Sequence, residues 1–247
     1  MGNPFEAHGI DHLSASALNY YAEQPAFWAA KYLFGLKEST PMMWRGLAVE
    51  AGLDSWLYKR DTEAAYVAAL GRFELDAMGD LDDAVDRERS KICPMLDQAV
   101  RLMGNKPSPN ARQLKIEFWF DGIEVPVVGY TDYEWAEFGT DLKTANRMPS
   151  EIPGRHARQI SLYQAARGKP YDLLYVTEKK AAIRNLSVDE SALHLKRLEW
   201  HAHTMRRALA VFRDKHELAQ IFIPDLDHFY WKSQEAQQMA AEIWPRG

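Results

Sequence analysis

The 247 residues carry 47% hydrophobic side chains and eight tryptophans, enough for a well-packed domain and too many for an intrinsically disordered chain. No uninterrupted apolar run is long enough to cross a bilayer. The one cysteine, Cys93, can neither close an intrachain disulfide nor supply the four thiolates of an iron–sulfur cluster. A formal net charge of −5 speaks against a protein that coats nucleic acid without discrimination, although distribution matters more than the sum. The first residues, from Met1 to His8, lack the basic and apolar regions of a signal peptide. A cytoplasmic setting without a membrane partner is therefore expected.

There is no internal repeat, low-complexity tract or Gly/Ser linker, which predicts a single domain over 1–247. Ser14 or Ser16 can cap a first helix through Tyr20, Tyr21, Phe27, Trp28, Tyr32 and Phe34, with Pro25 interrupting it. Pro41 opens a second, in which Trp44, Leu47, Val49, Leu53 and Leu57 recur at helical spacing around Glu50. Residues 61–72 and 82–103 read as further helices. Prolines 107 and 109 then end the helical N-terminal part, 12–105.

The period now changes. Segments 114–120 and 123–130 predict strands joined at Asp121-Gly122, a strong hairpin signal. Residues 140–143 predict a third short strand, and 153–167 a helix that stops at Gly168. Strands over 171–177 and 181–186, turned at Lys179 and Lys180, complete a sheet-containing core spanning 112–187. A long helix over 188–218 and a shorter helical tail form the C-terminal helices, 188–247. The fold class is α/β (α+β): a mixed central sheet flanked by helices.

Within the core, Asp132 follows an apolar run, and strand alternation puts Asp141 and Lys143 on one face with Leu142 on the other. Carboxylates on adjacent strands with a lysine beside them make an oxygen site suited to Mg²⁺ or Mn²⁺. An isolated Asp-x-Lys is more often a solvated charge pair of little energetic weight. Two helical segments set this one apart: Gly46 to Glu50 before it and Gln159 to Tyr163 after it. Acidic residues crowd 76–86 while basic ones crowd 147–184, an asymmetry that would suit a phosphate-lined groove.

Taken in order, Gly46-x-x-x-Glu50, Gly129-x-x-Asp132, Asp141-x-Lys143 and Gln159-x-x-x-Tyr163 resemble the PD-(D/E)XK nuclease superfamily. The resemblance is to its branch of RecB, Cas4 and phage exonucleases. His12 to Leu18, Tyr21 and the Gln24-Pro25 step resemble that branch's opening helix. Relatives often place a cluster cysteine where this chain has Gln24, so no iron–sulfur cluster is expected. The resemblance covers residues 12–60 and 115–185.

It implies a restriction-endonuclease-like core with N-terminal and C-terminal helical elaborations. It also implies a metal-dependent DNA nuclease that hydrolyses phosphodiester bonds, foremost a phage-type exonuclease in recombination, repair or replication. The alternatives are a structure-specific DNA endonuclease and a non-catalytic nucleic-acid-binding module. By the same resemblance Asp132, Asp141 and the Leu142 backbone carbonyl would ligate Mg²⁺ or Mn²⁺. Glu50 joins them, standing where many bacterial relatives carry histidine and phage exonucleases glutamate. Lys143 would hold or activate the attacking water, its pKa lowered by the neighbouring cations. Gln159 would bond a ligating carboxylate or the DNA, Tyr163 would orient backbone, and Arg155 and Arg158 would contact phosphate.

His156 is a candidate proton donor to the leaving 3′-oxygen, although a lone histidine is usually neither ligand nor catalyst. His194, His201 and His203 do not match the spacing of a helical zinc pair and read as surface or core histidines. Tyr20, Tyr21, Phe27 and Trp28 could stack on bases but read more readily as core. Tyr20, Trp28 and Trp44 could also narrow a passage for the substrate. Expected partners are DNA with free ends, further copies of the chain and a single-strand annealing or recombination protein. The expected location is the cytoplasm, that of a bacterial host if the chain is phage-encoded.

Overall fold

The computed structural model describes residues 2–80, 82–212 and 214–245. After a short α1 (Pro4–Ala7), Ser14 Oγ accepts from Ala17 N at 3.0 Å and starts α2 (Ala15–Glu23). Pro25 begins a new helix as predicted, α3 (Pro25–Trp28), which continues as a π turn over Ala29–Leu33. Thr40 caps α4 (Pro41–Lys59), and Arg60, left-handed at φ 57°, ends it. Then come α5 (Thr62–Asp76), α6 (Asp83–Arg89) and α7 (Ile92–Met103). The single helix predicted over 82–103 is thus broken at Ser90 and Lys91. Pro94 explains the break: it has no N–H and its ring would clash with the carbonyl four residues back, so it is tolerated only in a helix's first turn.

Five strands follow: β1 (Ala111–Phe118), β2 (Val127–Glu134), β3 (Gly139–Thr144), β4 (Tyr171–Val176) and β5 (Ala181–Arg184). They lie side by side in that order, all antiparallel except β3 and β4. That parallel pair needs a crossover, which α8 (Gly154–Arg167) provides before Gly168 ends it at φ 64°. The hairpin differs from expectation. Phe118 pairs with Val127, so residues 119–126 form the connection although Gly122 does turn at φ 68°. Phe120, Ile123 and Val125 bury themselves in the core instead of extending the ladder, and Pro126 cannot donate to one.

Ser187 and Glu190 form a capping box at the start of α9 (Val188–Val211). The helix predicted over 188–218 stops earlier, at the extended Phe212, and resumes as α10 (Lys215–Ala219); Arg213 lies outside the described residues. The chain closes with α11 (Gln234–Ile243). No helix among the described residues is long and apolar enough to cross a membrane.

Alternation on the strands sends core to both faces. Leu142, Leu174 and Val176 meet Val49, Leu53, Phe73 and Leu96 of α4, α5 and α7. Leu173 and Tyr175 meet Leu18, Ile160, Leu198 and Trp231 on the other face, under α2, α8, α9 and the C-terminal segment. The result is a mixed sheet between two helical layers, the α/β arrangement expected.

Candidate active site

The site begins where two strands part. β2 and β3 pair only at Tyr133 with Thr140 and Glu134 with Gly139. One step further, that register would set Asp132 directly against Asp141, and like charges in that position are destabilising. The strands open instead, and their freed backbone groups need partners. Leu142 N donates to Asp132 Oδ2 at 2.7 Å. The Tyr163 hydroxyl donates to the Tyr130 carbonyl at 2.9 Å. Farther along β2, Val128 N donates to the Leu13 carbonyl and Leu13 N to the Pro126 carbonyl, each at 2.8 Å. Because N–H and carbonyl of one extended residue face the same neighbour, the Leu142 carbonyl faces the gap beside Asp132.

Two glycines let the flanking helices approach this gap. A Cβ on Gly129 would lie 2.8 Å from the Tyr163 ring, and one on Gly46 would lie 3.3 Å from Thr144 Oγ1 at the end of β3. Close approach at Gly46 carries Glu50, one turn later on α4, to the same opening. There Lys143 Nζ stands 2.7 Å from Asp141 Oδ2. Lys143 is thus the charge partner of this oxygen, which belongs to a residue 1% exposed and has no other donor.

The electrostatics record crowded negative charge. Burial, then Asp141 and Glu50, hold the Asp132 carboxyl well above its ordinary pKa. Burial, then Asp54, raise Glu50, with Asp141 adding to the effect. For Lys143, burial works against the ammonium, but Asp141 and Asp132 outweigh it and its pKa rises. The lowering expected beside cations is not a property of the chain's own charges, which favour the charged lysine.

Do these residues suit a divalent ion? The donors are all oxygen, they repel one another, and a buried Asp141 oxygen has no donor besides Lys143, which is the chemistry a hard cation offsets. Their disposition is not a closed ligand set. Among the described residues no group of three or more His, Cys, Asp or Glu side chains is placed to hold a metal; Leu142 N holds Asp132, Lys143 lies against Asp141, and Gln113 holds Glu50.

The α8 residues behave differently from one another. Gln159 Nε2 donates to the Tyr163 hydroxyl at 2.9 Å, so its amide supports the phenol and not a ligating carboxylate, as had been expected. Arg155 is exposed at the mouth of a cleft of about 240 Å³ that it shares with Lys143, His156, Gln159 and Tyr20. Arg158 is 9% exposed and is held by Asn19 and, at 2.5 Å, by Glu23. Its expected phosphate contact is therefore corrected: the guanidinium ties α8 to α2. His156 Nδ1 lies 2.8 Å from the Tyr175 hydroxyl, and burial, with Lys143 and Arg155 nearby, depresses its pKa to about 3. The chain's own charges thus favour the neutral ring at His156. Trp28 and Trp44 are buried and border none of the clefts that Glu50 or Lys143 borders, whereas Tyr20 borders the 240 Å³ one.

Sequence reading missed Gln113. It has φ 47°, and although β1 keeps its register from Arg112–Tyr133 to Leu114–Thr131, Gln113 itself drops out of the ladder and its amide holds Glu50. Nothing in residue periodicity marks a left-handed position at a glutamine. Glu50 borders two clefts of about 770 and 340 Å³, and Lys143 borders the latter and the 240 Å³ one. The opening between β2 and β3 is thus flanked by continuous concave surface.

No protein-family model matches the chain, and no curated protein does. Among solved structures it is similar to a "Putative exonuclease" from Eubacterium rectale, with a TM-score of 0.53 and 14% identity over 90% of this chain and 87% of that one. The structure of SSO0001 aligns over 74% of this chain and 86% of that one, also at 14% identity, but a TM-score of 0.36 carries no argument. At such identity the likeness is one of fold alone.

Proposed function

We propose that the chain is a divalent-cation-dependent nuclease hydrolysing phosphodiester bonds in DNA, and more narrowly an exonuclease of the phage type serving recombination, repair or replication. One observation carries the reading: Asp132, Asp141 and Lys143 cluster where β2 and β3 part, near enough to Glu50 for the charges to act on one another. The fold likeness supports a nuclease in general terms.

Glu50, Asp132, Asp141 and the Leu142 carbonyl would hold Mg²⁺ or Mn²⁺. Such an ion supplies positive charge against the negative charge that develops on phosphate during hydrolysis. The chain's own residues do the rest. Lys143, kept as an ammonium, donates to the attacking water or the phosphate oxygen and neutralises part of the carboxylate charge that would repel DNA. Tyr163, braced by Gln159, fixes the β2 backbone two residues before Asp132. Arg155, exposed beside Lys143, can take a neighbouring phosphate.

The test is digestion of end-labelled linear DNA, single- and double-stranded, with Mg²⁺ and with Mn²⁺. Cleavage is expected to need the cation and to vanish in Asp132→Ala and Asp141→Ala. Lys143→Ala should still bind DNA but turn over about a hundredfold more slowly, a usual cost of losing a group that acts on the reacting water. Undiminished cleavage by either aspartate variant, in a preparation free of contaminating nuclease, would remove the assignment.

A further inference from the structure

A second cleft, of about 670 Å³, lies between α2 and α9, on the other side of the Arg158–Glu23 ion pair from Lys143. Its chemistry is unlike the first site's. Tyr21, Trp200 and Phe222 give it aromatic faces, Arg158 and Arg197 give it cations, and no carboxylate lines it. Arg197, Trp200 and Thr204 succeed one another at three- and four-residue spacing, so they share one face of α9. The opposite face, with Leu198, Ala202 and Met205, is buried. Trp200 is 68% exposed, and a large indole left in water beside a cleft is the kind of surface that marks an interaction site. Arg197 is exposed and has no ion-pair partner among the described residues. Arg158 is neutralised by Glu23, so the uncompensated cation of the cleft is Arg197.

We propose that this cleft is a subsite for single-stranded DNA, stacking an unpaired base on Trp200 and seating its phosphate at Arg197. The identity of the strand rests on the nuclease reading above. The chemistry selects the occupant: a ligand for this surface must carry both a flat aromatic face and negative charge, and every unpaired nucleotide does. A duplex keeps its base faces stacked on one another and offers the cleft only phosphate. The location fits as well. Asn19 and Glu23 of α2 border the Lys143 cleft while Tyr21 and Ala22 border this one. A strand crossing the Glu23–Arg158 pair would pass from one to the other.

The test measures anisotropy of a labelled oligothymidylate with the whole chain in EDTA, where cutting is suppressed. Wild type is compared with Trp200→Ala and Arg197→Ala, two exposed side chains whose loss leaves the core untouched. Trp200→Ala is expected to weaken binding at least about fivefold, the lower end of what one stacked base contributes. Arg197→Ala should weaken it and flatten its salt dependence. A blunt duplex of equal length should lose less in either variant. Absence of wild-type binding, or equal affinity in wild type and both variants, overturns the proposal. So does loss of self-association on sedimentation in place of loss of oligonucleotide binding, which would make the cleft a contact between copies of the chain. Cleavage of end-labelled DNA, followed in parallel, separates the two readings. Expected binding without any cleavage retires the nuclease and keeps the subsite; normal cleavage with unaltered variant binding retires the subsite alone.

Discussion

Glu50 is the site residue whose orientation depends most on another side chain. Gln113 supplies that support from a left-handed backbone position that costs a non-glycine residue on the order of 1 kcal/mol. Strain retained beside a candidate ligand invites a test in which two readouts move in opposite directions. Gln113→Gly relieves the strain and Gln113→Ala keeps it, so the glycine variant should be the more stable of the two by about 1 kcal/mol in urea denaturation. Both lose the amide that holds Glu50, so both should need more Mg²⁺ than wild type for half-maximal cleavage. Equal stability would mean that the backbone is not strained, and an unchanged cation requirement would mean that Gln113 does not orient Glu50. At this scale the meeting of Asp141 and Lys143 was legible because alternation along a strand decides which residues share a face, while Asp132 and Glu50 were singled out by the resemblance of their motifs. Gln113 was not, and neither was the engagement of Arg158 with α2. Both depend on contacts between segments far apart in the chain.

At the scale of elements, the parting of β2 and β3 gives the glycines and the tyrosine a purpose that motif spacing alone leaves unexplained. Tyr163 replaces the missing β3 as partner to the Tyr130 carbonyl, and Gly129 makes room for its ring. Gly129→Ala should cost about 1–3 kcal/mol, as overpacking does. Tyr163→Ala should cost at least as much, because it both empties a core position and leaves the carbonyl unpaired. The two effects should not add. With the ring gone the new methyl meets nothing at 2.8 Å, so the double variant should be more stable than the sum predicts by about 0.5–3 kcal/mol. Strict additivity would show that the ring and the glycine do not constrain each other. Elements set by local signals were legible: α4 from Pro41, α8 up to Gly168, α9 from Ser187. The β1–β2 connection was misjudged because Asp121-Gly122 is a local turn signal, whereas the apolar residues around it are drawn into the core and the β2 edge is taken by Leu13, more than a hundred residues earlier.

For the molecule as a whole, the question is how DNA could reach a site sunk between two helical layers. Glu50 and Lys143 lie in successive clefts that narrow from about 770 through 340 to 240 Å³. The smallest is walled by Tyr20 and Tyr230, whose rings pack edge to face at 5.2 Å, and by Arg155 and Glu23. Met42, Met43 and Leu47 stand exposed along the middle one. A duplex that continues on both sides of the scissile bond needs clear room at both ends of the site, and the expectation is that the wall of Tyr20, Tyr230 and Arg155 leaves it on one side only. A chain end needs room on one side only. Covalently closed relaxed circles should therefore survive incubation with the protein and Mg²⁺, while linear molecules of the same sequence are degraded. The two forms differ in nothing but the presence of ends, so a gel of the paired digests reads the geometric requirement directly. Nicking or linearisation of circles at a rate comparable to linear degradation would move the protein to the endonuclease alternative.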